Sequence, residues 1–172
     1  AIFCEDSTTD IFLKYDNYIK EIFRVIKKNH PDKELIVKPH PQSDFINNAL
    51  DLIRETDSNA KIILDANLPE LINDCEIVIS FNTSSILLES IILEKPTISL
   101  ITDDWAKENE IIKMNGVMSI NEIQSVESGI SKIIHNDEFK SEIQHNSKHF
   151  LKNYLSNHGT ASKKLVDILK NI

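Results

Sequence analysis

The sequence predicts an α/β protein built on a doubly wound parallel sheet of about six strands, followed by carboxyl-terminal helices. Three observations carry that reading. Short runs rich in Ile and Val are apolar throughout rather than at every second position, the pattern of parallel strands covered on both faces. These runs alternate with longer amphipathic stretches, as right-handed βαβ units require. The chain has 172 residues, 41% of them hydrophobic and 27% charged, which suits one domain with a core of its own.

The expected strands are Ala1–Cys4, Glu34–Lys38, Ala60–Leu64, Glu76–Ser80, Thr97–Ile101 and a weaker Val117–Ile120. The first helical stretch, Asp10–Asn29, places Ile11, Tyr15, Tyr18, Ile19, Ile22 and Ile26 at three- and four-residue spacing. Phe45–Thr56, a short Pro69–Asn73 and Ser84–Leu93 follow, and a Trp105–Lys113 turn precedes the last strand. Beyond it come three helical stretches, Ile123–His135, Phe139–Leu155 and Thr160–Ile172. Asn157-His158-Gly159 is a turn signal, and Thr160 is placed to cap the last helix. The arrangement is Rossmann-like, with the strand order 3-2-1-4-5-6 expected. The chain opens at Ala1, already inside a strand, so one domain of a larger protein is expected.

Composition excludes several classes. A net charge of −8 repels phosphate backbones and argues against nucleic-acid binding. No apolar run reaches the roughly 18–20 residues of a membrane span, and no signal peptide is expected. The two cysteines, Cys4 and Cys75, sit in or beside apolar segments and read as reduced core residues of a cytoplasmic protein. Three glycines, Gly116, Gly129 and Gly159, are too few and too scattered for a P-loop or a G-x-G-x-x-G turn.

Doubly wound sheets bind ligands beyond the carboxyl ends of their strands, where the strand order reverses. The segments that follow the strands are therefore the candidate site. Thr83-Ser84-Ser85 leads directly into an apolar helix, whose amino terminus presents free N–H groups and a partial positive charge; with these hydroxyls it forms a phosphate seat that needs no glycine. Simple helix capping would need only one hydroxyl. In Lys38-Pro39-His40-Pro41 the two prolines restrict the backbone around His40, which places one imidazole rigidly at a strand end, suited to contact a phosphate or neutralise a leaving group. Glu89 follows Ser85 by four residues and shares its helix face, where a carboxylate accepts the hydroxyls of a ribose. Asp65, Asn67 and Leu68 follow the third strand as candidate contacts to a nucleobase, with helix capping ahead of Pro69 as the equal alternative. His145 and His149 have a zinc-compatible spacing without a third ligand and read as an exposed polar face; no metal site is expected. Trp105 reads as a packing anchor, and Lys27-Lys28 as a solvated helix end.

Taken together, Lys38-Pro39-His40-Pro41, Thr83-Ser84-Ser85, Glu89, Lys95-Pro96 and Asn157-His158-Gly159-Thr160-Ala161-Ser162 resemble the carboxyl-terminal, donor-binding domain of GT-B-type bacterial glycosyltransferases. The resemblance is to capsule and surface-polysaccharide transferases, sialyltransferases and CDP-glycerol glycerophosphotransferases. It implies that the chain (residues 1–172) is one nucleotide-sugar-binding domain of a larger two-domain enzyme, inactive in isolation. His40 would act at the departing phosphate, with Lys38, Thr83, Ser84 and Ser85 around it and Glu89 on the ribose. The donor would be a CMP-, CDP- or UDP-linked sugar, with no other cofactor and no metal, since protein donors replace magnesium. The acceptor site would lie in an amino-terminal domain outside this chain. A cytoplasmic place is implied, with the full-length protein allowed peripheral association at the inner face of the plasma membrane. One departure is Glu94, where the family pattern has glycine before Lys-Pro, which puts the tightness of that turn in question.

Three alternatives stand beside this reading. A UDP-GlcNAc 2-epimerase-like domain shares the architecture, although such enzymes favour a glycine-rich phosphate loop. A phosphoreceiver-like signalling domain would use Glu5, Asp6, Asp65, Thr83 and Lys95, but Lys95 precedes its strand and points away from the crevice. A stand-alone nucleotide-binding or scaffolding module is the third.

Overall fold

A computed structural model describes residues 2–4, 9–39, 51, 53–56, 60–155 and 159–170, with side chains from Tyr15 onward. Six parallel strands form one sheet: β1 (Ile2–Cys4), β2 (Ile36–Pro39), β3 (Lys61–Ile62), β4 (Val78–Phe81), β5 (Thr97–Leu100) and β6 (Met118–Ile120). Their order is β3-β2-β1-β4-β5-β6, as expected. Phe3 of the central β1 stands level with Lys38 of β2 on one side and Ser80 of β4 on the other. The order reverses between β1 and β4, and that is where the carboxyl edge of the sheet has its crevice.

The helices are α1 (Thr9–Asn29), α2 (Leu68–Asp74), α3 (Ser85–Ile92), α4 (Glu110–Lys113), α5 (Val126–His135), α6 (Asp137–Tyr154) and α7 (Ala161–Leu169). Short 3-10 turns at Asp104–Glu108 and Ile123–Ser125 precede α4 and α5. Most of the expected Phe45–Thr56 lies outside the described residues; positions 51 and 53–56 are helical, and Ile53 is fully buried. Helix α6 starts two residues before the expected Phe139, because Asn136 caps it: its Oδ1 accepts from the Phe139 N–H at 2.8 Å, with Asp137 and Glu138 in the first turn.

Alternation along the buried strands sorts the core. Ile79, Phe81, Ile98 and Leu100 face α1 and α5, where Tyr15, Tyr18, Ile22, Val25, Ile130 and Ile133 meet them. The opposite face of β4 and β5 carries Ser80, Thr97 and Ser99, all buried. Small residues there let α3 lie close against the sheet, so Ile86 meets Val78 while Leu87 and Ile91 join α4 and α6. Gly129 serves a similar approach on α5, since a Cβ at that position would stand 2.6 Å from Ile120 Cδ1.

Polar contacts tie α1 to α5. Arg24 donates to Glu21 Oε1 and Glu127 Oε2, each at 2.7 Å, and Asn29 Nδ2 donates to Glu127 Oε1 at 2.8 Å. The hydrogen bonds from Arg24 hold both carboxyls below the usual carboxylate range, and they hold the guanidinium above its own.

Three expectations need correction. Trp105 is 61% exposed and anchors no core. Thr160 stands at the amino terminus of α7 but its side chain makes no capping hydrogen bond, and no residue of α7 is buried. The turn at Glu94 is as tight as a glycine there would make it. Glu94 adopts φ 57°, its N–H donates to Ile91 O at 3.1 Å, and the Lys95 N–H donates to Ser90 O at 2.9 Å. That pair of bonds is a Schellman motif, and it forces the left-handed backbone whichever side chain is present.

Two predictions follow from these contacts. Glu94→Gly relieves the cost of about 1–2 kcal/mol that the left-handed conformation imposes on a non-glycine residue, partly offset by about 0.5–1 kcal/mol of glycine flexibility in the unfolded chain. Urea unfolding is expected to show a net gain of about 0.5–1 kcal/mol, since the Lys148 pair lost with it is exposed. Carboxyls with depressed folded-state pKa values contribute stability above their unfolded values and lose it as pH falls through the folded ones. Arg24→Ala is therefore expected to lower stability at neutral pH, and its unfolding curves converge with the parent's as pH falls through the carboxylate range.

Candidate functional site

The carboxyl edge of the sheet is organised around Asn82, which ends β4 and is 3% exposed. Its φ of 49° turns the chain sharply toward α3, a conformation that asparagine tolerates better than most side chains. Its N–H donates to Leu100 O at 2.9 Å and its carbonyl accepts from the Ser99 hydroxyl, so the turn stays stitched to β5. The side-chain carbonyl accepts from the N–H groups of Thr102 at 3.0 Å and Asp103 at 3.2 Å. The amide nitrogen donates to Thr102 Oγ1 at 2.9 Å and Asp103 Oδ2 at 3.1 Å, and approaches the Tyr15 hydroxyl at 3.3 Å. One side chain thus joins the ends of β4 and β5 and the second turn of α1. Beneath it, the Tyr15 ring packs on Phe81 with centroids 4.2 Å apart.

This turn delivers Thr83, Ser84 and Ser85 to the head of α3. Ser84 is the N-cap, its Oγ accepting from the Ile86 N–H at 3.4 Å, a long bond that leaves capacity on the hydroxyl. Thr83 and Ser84 are half-buried and Ser85 is exposed. Glu89, half-buried, lies four residues along the same helix, about 6 Å down its axis at 1.5 Å per residue.

Across β1, at two strand spacings or about 10 Å, stands the end of β2. Lys38 there is only 7% exposed, and its ammonium donates to Pro39 O at 3.0 Å. It has no carboxylate partner among the described residues. His40, the expected catalytic residue, lies outside the described residues, as do Glu5 and Asp6. Asp65 and Asn67 are exposed beyond β3, the outermost strand on this side; Asn67 donates to Glu70 Oε1 at 2.8 Å and Leu68 packs with Leu71, Ile72 and Ile86. Lys95 belongs to the other edge, where its ammonium donates to Asn73 O, far from any phosphoreceiver position.

Asp16 follows Tyr15 on α1. Its Oδ1 is buried without a hydrogen-bond partner, and burial, opposed by nearby Lys20, raises its carboxyl above the ordinary range. No group of metal-binding side chains occurs among the described residues, and His145 and His149 are both exposed. Sequence reading placed Asn82 ahead of the hydroxyl cluster and Thr102 and Asp103 after the fifth strand, but gave them no role. The available signal was an asparagine closing an apolar strand at the point of order reversal.

No family model matches the sequence, and no curated protein matches it. Solved structures share its fold. A UDP-GlcNAc 2-epimerase from Neisseria meningitidis, bound to UDP-GlcNAc, superposes with a TM-score of 0.69 over 99% of this chain and 44% of that one, at 19% identity. The C-terminal domain of LpcC, a group 1 glycosyl transferase family protein from Francisella tularensis, gives 0.64 over 89% of this chain and 84% of that domain, at 14% identity. WaaG, a glycosyltransferase involved in lipopolysaccharide biosynthesis, gives 0.62 over 97% and 46%, at 15% identity. The chain therefore spans less than half the length of the epimerase and of WaaG. Its fold is the Rossmann-like α/β arrangement of the carboxyl-terminal half of GT-B glycosyltransferases.

Because Asn82 satisfies two backbone donors and fixes a left-handed turn, Asn82→Ala is expected to cost about 2–4 kcal/mol in urea unfolding, at about 1 kcal/mol per buried hydrogen bond plus backbone strain. Asn82→Gly restores the backbone freedom but not the bonds, so its loss should be smaller.

Proposed function

We propose that the chain is the donor-binding domain of a glycosyltransferase, or of a glycerophosphotransferase, acting in bacterial capsule or surface-polysaccharide biosynthesis. The observation that carries this reading is Lys38: a nearly buried ammonium with no carboxylate partner among the described residues, on the same edge as the head of α3. A buried cation needs a counter-charge, and a diphosphate or monophosphate ester supplies one. Ser84 and Ser85 add hydroxyl donors, and the α3 dipole adds a fixed positive field where negative charge grows as the nucleotide departs. His40, two residues beyond Lys38, supplies charge or a proton to the same oxygen. These groups perform the neutralisation that a magnesium ion performs elsewhere. Glu89 takes the ribose hydroxyls, and the exposed groups of Asp65 and Asn67 with Leu68 border the base.

The acceptor and the catalytic base belong to a second, amino-terminal domain, consistent with a chain that spans 44% of the epimerase and 46% of WaaG. A cytoplasmic enzyme, met by its acceptor at the inner face of the membrane, fits this arrangement; no described helix is long and apolar enough to cross a bilayer. A second reading, a UDP-GlcNAc 2-epimerase half, is favoured by the likeness that covers 99% of the chain.

Thermal unfolding of the chain with CMP, CDP, UMP and UDP tests the proposal. A bound nucleotide raises the melting temperature with the logarithm of its concentration. Ser84→Ala and His40→Ala are each expected to weaken the binder about tenfold, equivalent to about 1.4 kcal/mol, with circular dichroism unchanged. No shift with any nucleotide at millimolar concentration overturns the assignment. Stabilisation by UDP-GlcNAc alone, with none by cytidine nucleotides, favours the epimerase reading.

A further inference from the structure

The amino edge of the sheet, opposite the proposed donor site, contains a cavity of about 240 Å³. Ile26 of α1 and Ile130 and Ile134 of α5 line one side, and Ile36 and Ile77, beside the starts of β2 and β4, line the other. The buried thiol of Cys75 also lines it and donates to Leu71 O at 3.1 Å. An engineered apolar cavity of about 150 Å³ accepts benzene, so this one has room for a ring with a short chain.

Leu35 and Ile79 complete the apolar lining, and the charged part, Lys33, Glu34, Asp74 and Glu76, is unbalanced. Lys33 and Glu76 neutralise each other through a 2.7 Å bond that joins the segment before β2 to the segment before β4. Glu34 stands 3.9 Å from Lys61, an exposed and distant pair worth little. Asp74 has no ion-pair partner among the described residues. An apolar hollow whose mouth carries two acids in excess discriminates by charge: a cation gains at the rim, while a carboxylate of the same body is repelled.

We propose that this cavity is a second binding site, separate from the donor edge, for a small amphiphilic amine: an apolar body of ring size bearing one ammonium group. The body fills the isoleucine-lined hollow and the ammonium meets Asp74 and Glu34. The Lys33–Glu76 pair forms part of the rim and holds the two strand-leading segments at their spacing.

Cys75 provides the reporter. Alkylation by N-ethylmaleimide, followed at Cys75 by peptide mass spectrometry so that Cys4 is read separately, is measured with phenethylammonium, 2-phenylethanol and 3-phenylpropanoate as probes of matched body. Phenethylammonium is expected to slow Cys75 alkylation saturably, about fivefold or more, and to shift the backbone amide resonances of Ile77 and Ile130. The alcohol should protect several-fold more weakly, and the carboxylate not at all. Asp74→Asn, at an exposed position, should reduce the amine's advantage over the alcohol, with Glu34 still present, and leave the alcohol unchanged. Absence of protection by the amine, equal protection by the carboxylate or alcohol, or an unchanged amine preference in Asp74→Asn overturns the proposal. Ile134→Trp, which fills the hollow, should abolish the amide shifts; their persistence would place the amine elsewhere and overturn it as well.

Discussion

The carboxyl edge depends on one buried amide. Asn82 sits where β4 must stop, turn through a left-handed residue and hand the chain to α3, and a turn that abrupt strips backbone N–H groups of their ladder partners. The Asn82 side chain supplies the acceptor those groups lack, taking the N–H bonds of Thr102 and Asp103 at the end of β5. Its amide donors then reach Thr102, Asp103 and Tyr15, so three elements are held by a single planar group. That clamp, together with the packing of Ile86, Leu87 and Ile91, sets the position of the head of α3 relative to β2. The proposed phosphate seat is a property of that relative position, since Ser84 and Lys38 come from different segments of the chain and meet only across β1.

The two faces of β4 and β5 explain why α3 in particular carries the hydroxyls. One face presents Ile79, Phe81, Ile98 and Leu100 to α1 and α5, a thick apolar layer that holds those helices at full packing distance. The other presents Ser80, Thr97 and Ser99, and their small volume lets α3 settle close to the sheet. Close approach aims the helix axis at the strand ends, and with it the positive end of the dipole. The same feature has a cost: the Ser80 hydroxyl is buried without a partner.

The edges of the sheet differ in chemistry for a related reason. At the carboxyl edge, loops that follow the strands are polar and interlinked, and a nearly buried lysine has no carboxylate partner among the described residues. At the amino edge, strand-leading segments bring isoleucines and acids together around a hollow, with Lys33 and Glu76 pairing across it. Strand direction separates the two, because a parallel sheet places every entry on one side and every exit on the other.

Periodicity determined the class and the six strands, because Ile- and Val-rich runs covered on both faces have few other places to go, and the order followed from the Rossmann-like class. Local chemistry also determined the helix head at Ser84 and the solvated end at Lys27-Lys28, each a matter of adjacent residues. Elsewhere sequence pattern fell short. Glu94 occupies a position suited to glycine, yet the Schellman hydrogen bonds, made between backbone atoms, impose the turn regardless of the side chain. Trp105 looked like an anchor because a large apolar ring usually finds a core, but the turn after β5 leaves it facing outward. Only the tertiary structure decided that Asn82 is the hub, that Lys38 is buried, and that the sheet's far edge holds a cavity. Each of these depends on residues distant in the chain, brought together by strand pairing, and contacts of that kind leave no periodic mark on the sequence.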